Sequence, residues 1–225
     1  MNIKMKSDSK KRLSLSKKGE ELIEHYKNMV DHGYQRADGI YVKNTYEDFE
    51  LKKFKEPIQP QFKYWNIKSV LDYGGGGSNW DKSGFSDDLS AKDFFNIEKV
   101  ISYEPARNYH DIESCDCVVC FDVLEHVYLN DLNDILTHIY SHALKLVIIQ
   151  VACYEAAALL PTGENAHITV RPPMWWKGFI DSISIKFPQI STMLFCSTEY
   201  KHAQLFKIWN AAHFDKKEEY SVKLE

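Results

Sequence analysis

The chain carries the run Ser69-Val70-Leu71-Asp72-Tyr73-Gly74-Gly75-Gly76-Gly77, which constrains its fold more than any other feature. A short apolar segment ends in an acid and then in four glycines. Such a segment is a strand buried on both faces, as in a parallel sheet. Glycines at its carboxyl end admit backbone conformations that a Cβ forbids and allow a ligand to approach the main chain. Open α/β sheets bind ligands in the crevice beyond that end. A dinucleotide fold calls for Gly-x-Gly-x-x-Gly, and a Walker loop ends in Gly-Lys-Ser/Thr. Here the acid precedes the glycines, and Gly77-Ser78-Asn79 has no lysine.

The rest of the chain alternates strand and helix signals. Helical spacing covers Gly19 to about Asp31, with Leu22, Ile23, Tyr26, Met29 and Val30 on one face. Residues 33–44 read as loop, and a second amphipathic stretch over 45–56 is expected to stop before Pro57. Strands are predicted at Ile67–Tyr73, Val100–Tyr103, Cys117–Phe121 and Leu146–Val151. Helices are predicted at Ala91–Ile97 and Asn130–Ala143. Ile190–Phe195 and Ala203–Trp209 read as an antiparallel hairpin near the end. The expected fold is α/β, Rossmann-like, with a doubly wound, mostly parallel sheet, an antiparallel C-terminal hairpin and an N-terminal helical extension. The division read from the sequence is a basic flexible tail at 1–18, a helical extension at 19–60 and a catalytic domain at 61–225.

Composition narrows the partners. The net charge of −4 gives no reason to expect a polyanion. Lys4, Lys6, Lys10, Lys11, Arg12, Lys17 and Lys18 do crowd the start, as a solvated terminus or as a nucleic-acid arm. No apolar run reaches 18 residues and no signal-peptide core is present, so no membrane partner and a cytoplasmic location are expected. Cys115, Cys117 and Cys120 fall in or beside a strand and read as small buried hydrophobes rather than zinc ligands.

Three further clusters carry chemistry. Glu104 ends the strand after the glycine loop, where a carboxylate can accept ribose hydroxyls; the plainer alternative is a surface acid before the turn at Pro105. Asp122, Glu125 and His126 are spaced i, i+3 and i+4, which on a helical turn puts all three on one face. His167 follows the next strand, whose carboxyl end lies beside them. Together Asp122, Glu125, His126 and His167 would make a metal site for Mg²⁺, Mn²⁺, Fe²⁺, Co²⁺ or Zn²⁺. A metal-free alternative makes His126 or His167 a general base oriented by Asp122 or Glu125. A structural alternative leaves Asp122 on a cofactor, Glu125-His126 as a cap or buttress of the sheet, and His167 bonded only to backbone. Arg171-Pro172-Pro173-Met174-Trp175-Trp176 starts a helix whose tryptophans pack in the core or line an acceptor pocket. Arg171 in the first position argues against adenine N-methylation.

The Asp-x-Gly-x-Gly run resembles motif I of the class I S-adenosylmethionine (SAM)-dependent methyltransferases. With Tyr103-Glu104-Pro105-Ala106 and Asp122-Val123-Leu124-Glu125-His126, the chain looks like the superfamily of the ubiquinone-type O-methyltransferases. It looks closer still to a subgroup of phage genomes and surface-polysaccharide gene clusters, which shares Leu160-Pro161-Thr162-Gly163-Glu164-Asn165-Ala166-His167 followed by Trp175-Trp176. The resemblance covers about residues 65–180. It implies SAM as cofactor, held by Asp72, Gly74, Gly76, Glu104, Pro105, Asp122 and Val123, with Asp111 and Cys115 as candidates on the adenine side. It implies methylation of an oxygen on a small-molecule or glycan acceptor, a sugar or nucleotide-linked sugar. Ubiquinone-type and small-RNA 2′-O-methyltransferases have a similar Glu-x-x-Glu-His turn and a later His, so the divalent metal has a parallel there. Catalytic roles then fall on Asp122, His126 and His167. The alternatives are a nucleic-acid 2′-O-methyltransferase and a non-catalytic SAM-binding protein.

Overall fold

The computed structural model describes residues 13–43, 49–208 and 216–222. Helix α1 (Lys17–His32) opens the described chain, followed by a small hairpin of β1 (Tyr34–Gln35) and β2 (Tyr41–Val42) in the segment expected to be loop. A 3-10 turn (Glu50–Phe54) leads into α2 (Lys55–Tyr64). Pro57 does not end this helix as expected. It falls in the first turn, where the missing N–H would have had no partner. Then come β3 (Ser69–Tyr73), α3 (Ala91–Phe95), β4 (Lys99–Tyr103), β5 (Cys115–Phe121), α4 (Leu129–His142), β6 (Ala143–Ala152), α5 (Pro173–Ser184), β7 (Ser191–Glu199), β8 (His202–Ile208) and β9 (Lys216–Ser221).

Strands β3 to β9 form one sheet in the order β4-β3-β5-β6-β7-β8-β9. The pairs from β4 to β7 are parallel. β8 and β9 turn back antiparallel. The fold is thus mixed α/β with a mostly parallel central sheet, compatible with a Rossmann-like fold. The expected hairpin is present as β7–β8, but β7 itself continues the parallel sheet and β9 adds a strand that the sequence reading lacked. The short stretch after Glu104 forms no strand of its own, so β4 is an edge.

The sheet's alternation fills two cores. Val118, Cys120, Val147 and Ile149 face α4 and α5, packing with Leu132, Leu136, Trp176 and Ile180. Cys117, Val119, Leu146 and Ile148 face the other way, onto Phe54, Ile58, Phe62 and Phe95. Period-two side chains buried on both faces explain why these strands read as continuous apolar runs. The cysteines of β5 are free and buried.

Residues 13–18 depart from the tail expected over 1–18; residues 1–12, with five of the seven basic residues, lie outside the described residues. Leu13 and Leu15 pack against the first core. Ser16 is the N-cap of α1, accepting from Gly19 N–H. Its own N–H and Oγ donate to Asp131 on α4 at 2.6 and 2.8 Å. Among the described residues no helix is long and apolar enough to cross a membrane.

Candidate active site

β3 has β4 on one side and β5 on the other, so the chain reverses direction across the sheet there, and the loops after all three strands meet at their carboxyl ends. Gly74 N–H donates to Tyr103 O at 2.7 Å, closing the β3 loop onto the end of β4. Gly74 has φ 76°, and a Cβ there would lie 2.5 Å from the Val123 side chain. Glycine is therefore required at Gly74 by both conformation and space. Glu104 reaches across, accepting from Gly76 N–H and Ala106 N–H at 3.0 Å each. Burial raises its pKa against the pull of those two N–H groups.

Two cavities open on this edge. The first lies under α1: Leu22, Ile23 and Tyr26 roof it, and Gly74, Glu104 and Val123 form its floor. The second lies on the far side of the glycine loop and is lined by Lys53, Gln150, Tyr154, His167 and Tyr200. Gly74, Gly76, Asp122 and His126 belong to both.

Of the expected cofactor residues, Gly74, Gly76, Glu104, Pro105, Asp122 and Val123 all line the first cavity. Asp72 does not. Its buried carboxylate lies beneath the loop, against Gly75, and accepts from Trp80 Nε1 at 2.8 Å. Burial pushes its pKa up to about 7, with the Trp80 bond opposing and Glu104 adding to the rise. Asp111 and Cys115 line neither cavity; Cys115 is in the core, because the short connection after Glu104 runs straight into β5.

The expected metal group assembles in part. Asp122, His126 and His167 bring one ligand atom each to within 4.8 Å of one another. Each histidine Nε2 is 4.0 Å from an Asp122 carboxylate oxygen, too far for a hydrogen bond. The other ring nitrogens are anchored. His167 Nδ1 lies 2.5 Å from Tyr154 O, and His126 Nδ1 lies 2.9 Å from Ala166 O. A carbonyl only accepts, so each Nδ1 carries a proton, and each Nε2 faces Asp122. Two imidazoles and a carboxylate, each imidazole fixed by a carbonyl behind it, are a donor set that fits a divalent cation.

Burial and the neighbouring His126 push the His167 pKa down to about 4, against Tyr154 O and Asp122. Burial opposes ionisation of Asp122, yet His126 and His167 hold its carboxyl below the usual range.

Glu125 is not part of the group. The segment after β5 is a 3-10 turn over Leu124–His126, and Asp122 before it has φ 57°. The i, i+3, i+4 spacing therefore does not place three side chains on one face. Glu125 turns inward, fully buried, and its carboxylate accepts from Ala152 N–H on β6. Burial raises its pKa well above the carboxylate range.

Several residues of the site carry no motif in the sequence. Gln150 Oε1 accepts from Asp122 N–H at 2.8 Å. Tyr26 Oη lies 2.6 Å from His126 Nδ1. The tryptophans of the Pro-Pro segment line neither cavity: Trp176 is buried in the core and Trp175 stacks on Phe179. Arg171 lies over the Trp175 ring. No family model, curated protein or solved structure matches the chain.

Proposed function

We propose that the chain is a SAM-dependent methyltransferase acting on a hydroxyl oxygen of a sugar or nucleotide-linked sugar, with a divalent cation held by Asp122, His126 and His167. The observation that carries the reading is that Asp122 and His126 form the wall shared by two cavities. A two-substrate transfer needs such a wall, where donor and acceptor meet in line.

In this reading SAM occupies the first cavity and supplies an electrophilic methyl group. The Glu104 carboxylate accepts from its ribose, and the glycine loop lets main chain approach. α1 keeps water from the reacting centre. Asp122, His126 and His167 would hold the cation, which would lower the pKa of an acceptor hydroxyl. The second cavity receives the acceptor. Its Lys53 is spent on Glu50, 2.6 Å away, which suits an uncharged polyhydroxyl group better than a phosphate backbone. The metal-free alternative needs a general base near neutrality. A His167 pKa of about 4 makes that residue a poor one, which leaves His126, with Nδ1 already fixed on Ala166 O.

Calorimetry with S-adenosylhomocysteine tests the first step. Binding is expected, and Glu104→Ala should weaken it by about 1.5–3 kcal/mol, the scale of a hydrogen bond to a charged group. Tight NAD binding with no response to S-adenosylhomocysteine would overturn the assignment. Turnover is then read as S-adenosylhomocysteine release with nucleotide sugars and oligosaccharides set against RNA. Turnover on RNA alone selects the nucleic-acid alternative. Binding without turnover on any acceptor selects a SAM-binding protein.

A further inference from the structure

The N-terminal helix does more than roof the first cavity. Tyr26, one helical turn beyond Leu22, directs its hydroxyl past the cavity to the far side of His126. The Tyr26 oxygen is 2.6 Å from His126 Nδ1 and 3.1 Å from Ala166 O. The ring of Tyr26 stands edge-on to the His126 imidazole, with centroids 5.4 Å apart. These distances close a small triangle of tyrosine hydroxyl, imidazole N–H and carbonyl. The hydroxyl donates to Ala166 O and accepts a share of the Nδ1–H, so all three groups are satisfied at once.

The two histidines differ in this respect. His167 is fixed by one carbonyl from its own loop region, Tyr154 O. His126 is fixed from two sides, by Ala166 from the segment after β6 and by Tyr26 from α1. The outer face of His126 is thus completed by an element distant in sequence from the sheet. Partners behind a ligating imidazole set its tautomer and ring orientation, and their loss costs metal sites roughly 10–100-fold in affinity.

We propose that Tyr26 is a positioning residue of the Asp122–His126–His167 group, holding His126 with Nε2 turned to the other two, so that α1 is a working part of the metal site. This rests on the metal reading above and adds to it a residue from outside the sheet. It also gives the extension a role apart from the cofactor. Removing the hydroxyl should loosen the metal and leave the cofactor cavity's apolar roof in place.

The test titrates Co²⁺ alone into the full-length, metal-stripped protein and follows visible absorption and heat, with S-adenosylhomocysteine affinity measured separately. Tyr26→Phe keeps the ring and deletes the hydroxyl. It should weaken Co²⁺ binding by about tenfold or more and change S-adenosylhomocysteine affinity by less than about twofold, a margin small against one lost hydrogen bond. Ser16→Ala is the control for loosened docking of the same helix, because it removes the Ser16 Oγ–Asp131 bond and the N-cap of α1 without touching His126. It should lower the melting temperature and leave Co²⁺ affinity close to that of the unsubstituted protein. Equal Co²⁺ affinity for Tyr26→Phe and the unsubstituted protein overturns the proposal. A loss in Ser16→Ala matching that in Tyr26→Phe overturns it too, since helix docking and not the hydroxyl would then govern the site. Absence of Co²⁺ binding to the unsubstituted protein is a different failure: it removes the metal reading itself, and with it anything for Tyr26 to position.

Discussion

Gln150 holds Asp122 by its main chain: the Asp122 N–H donates to Gln150 Oε1 at 2.8 Å, while Gln150 Nε2 donates to Ser197 Oγ at 3.0 Å. Asp122 has a left-handed backbone, at φ 57°, which few residues adopt without support. The buried amide on β6 thus ties the end of β5 to β7 and fixes the turn from which the Asp122 carboxylate projects.

Gln150→Leu keeps the volume and deletes both bonds. It should cost about 1–3 kcal/mol in urea unfolding, the scale of lost buried hydrogen bonds, since Ser197 Oγ loses its amide donor and Asp122 N–H keeps only the Gln150 main-chain O at 3.3 Å. It should also weaken metal binding, because the carboxylate loses its fixed origin. Unchanged stability and unchanged metal affinity together would show that the amide is incidental.

Residues 13–18 give a second expectation. A chain beginning at Gly19 loses Leu13 and Leu15 from the core, the N-cap of α1 and both donors to the buried Asp131 carboxylate. Loss of the cap alone is worth about 1 kcal/mol. Thermal unfolding of the shortened chain should fall by several degrees relative to the full chain. Equal melting temperatures would return these residues to the status of a tail.

The pH dependence of stability should carry a His167 signature in chelator. The unfolded chain takes up a proton on this residue near 6.5, the folded chain only near 4. Between these values the unfolded state binds more protons, so stability falls as pH drops. The contribution is complete above about pH 6.5, and roughly 2–3 kcal/mol of it is gone at pH 4.5. Asp72 and Glu125, whose pKa values are raised, act in the opposite direction. The quantity to measure is therefore the difference between the unsubstituted protein and His167→Asn, at pH 7.5 and 4.5. A difference that does not change with pH would show that His167 titrates normally in the fold.

How much of this was legible in the sequence depends on the kind of signal. Apolar runs of strand length located every parallel strand, because burial on both faces leaves little room for polar residues. The placement of Glu104 beside the glycine loop followed from strand order alone. The neighbours of Asp122 did not. The i, i+3, i+4 spacing places three side chains together only on a helical turn, and the left-handed backbone at Asp122 and the 3-10 turn after it decide that Glu125 points inward. Gln150 and Tyr26 act through contacts across 28 and 100 positions of chain. Nothing in their local sequence separates Gln150 from other strand residues or Tyr26 from the apolar face of α1.

The membership of the proposed metal group leads to the sharpest prediction. Asp122, His126 and His167 converge, and Glu125 is withdrawn beneath them with its carboxylate on Ala152 N–H. His126→Ala and His167→Ala should each lose the metal and most of the methyl transfer, with S-adenosylhomocysteine still bound. Asp122→Asn should weaken the metal by removing the one negative ligand. Glu125→Gln should behave differently. Burial disfavours the Glu125 carboxylate and the amide matches its shape, so metal affinity should change by less than about threefold, within the range expected for a group outside the ligand shell. Elemental analysis and methyl transfer in excess chelator check the set. Full activity without metal would leave His126 as the base. Loss of metal in Glu125→Gln as complete as in His126→Ala would return Glu125 to the ligand set and require the turn after Asp122 to rearrange on binding.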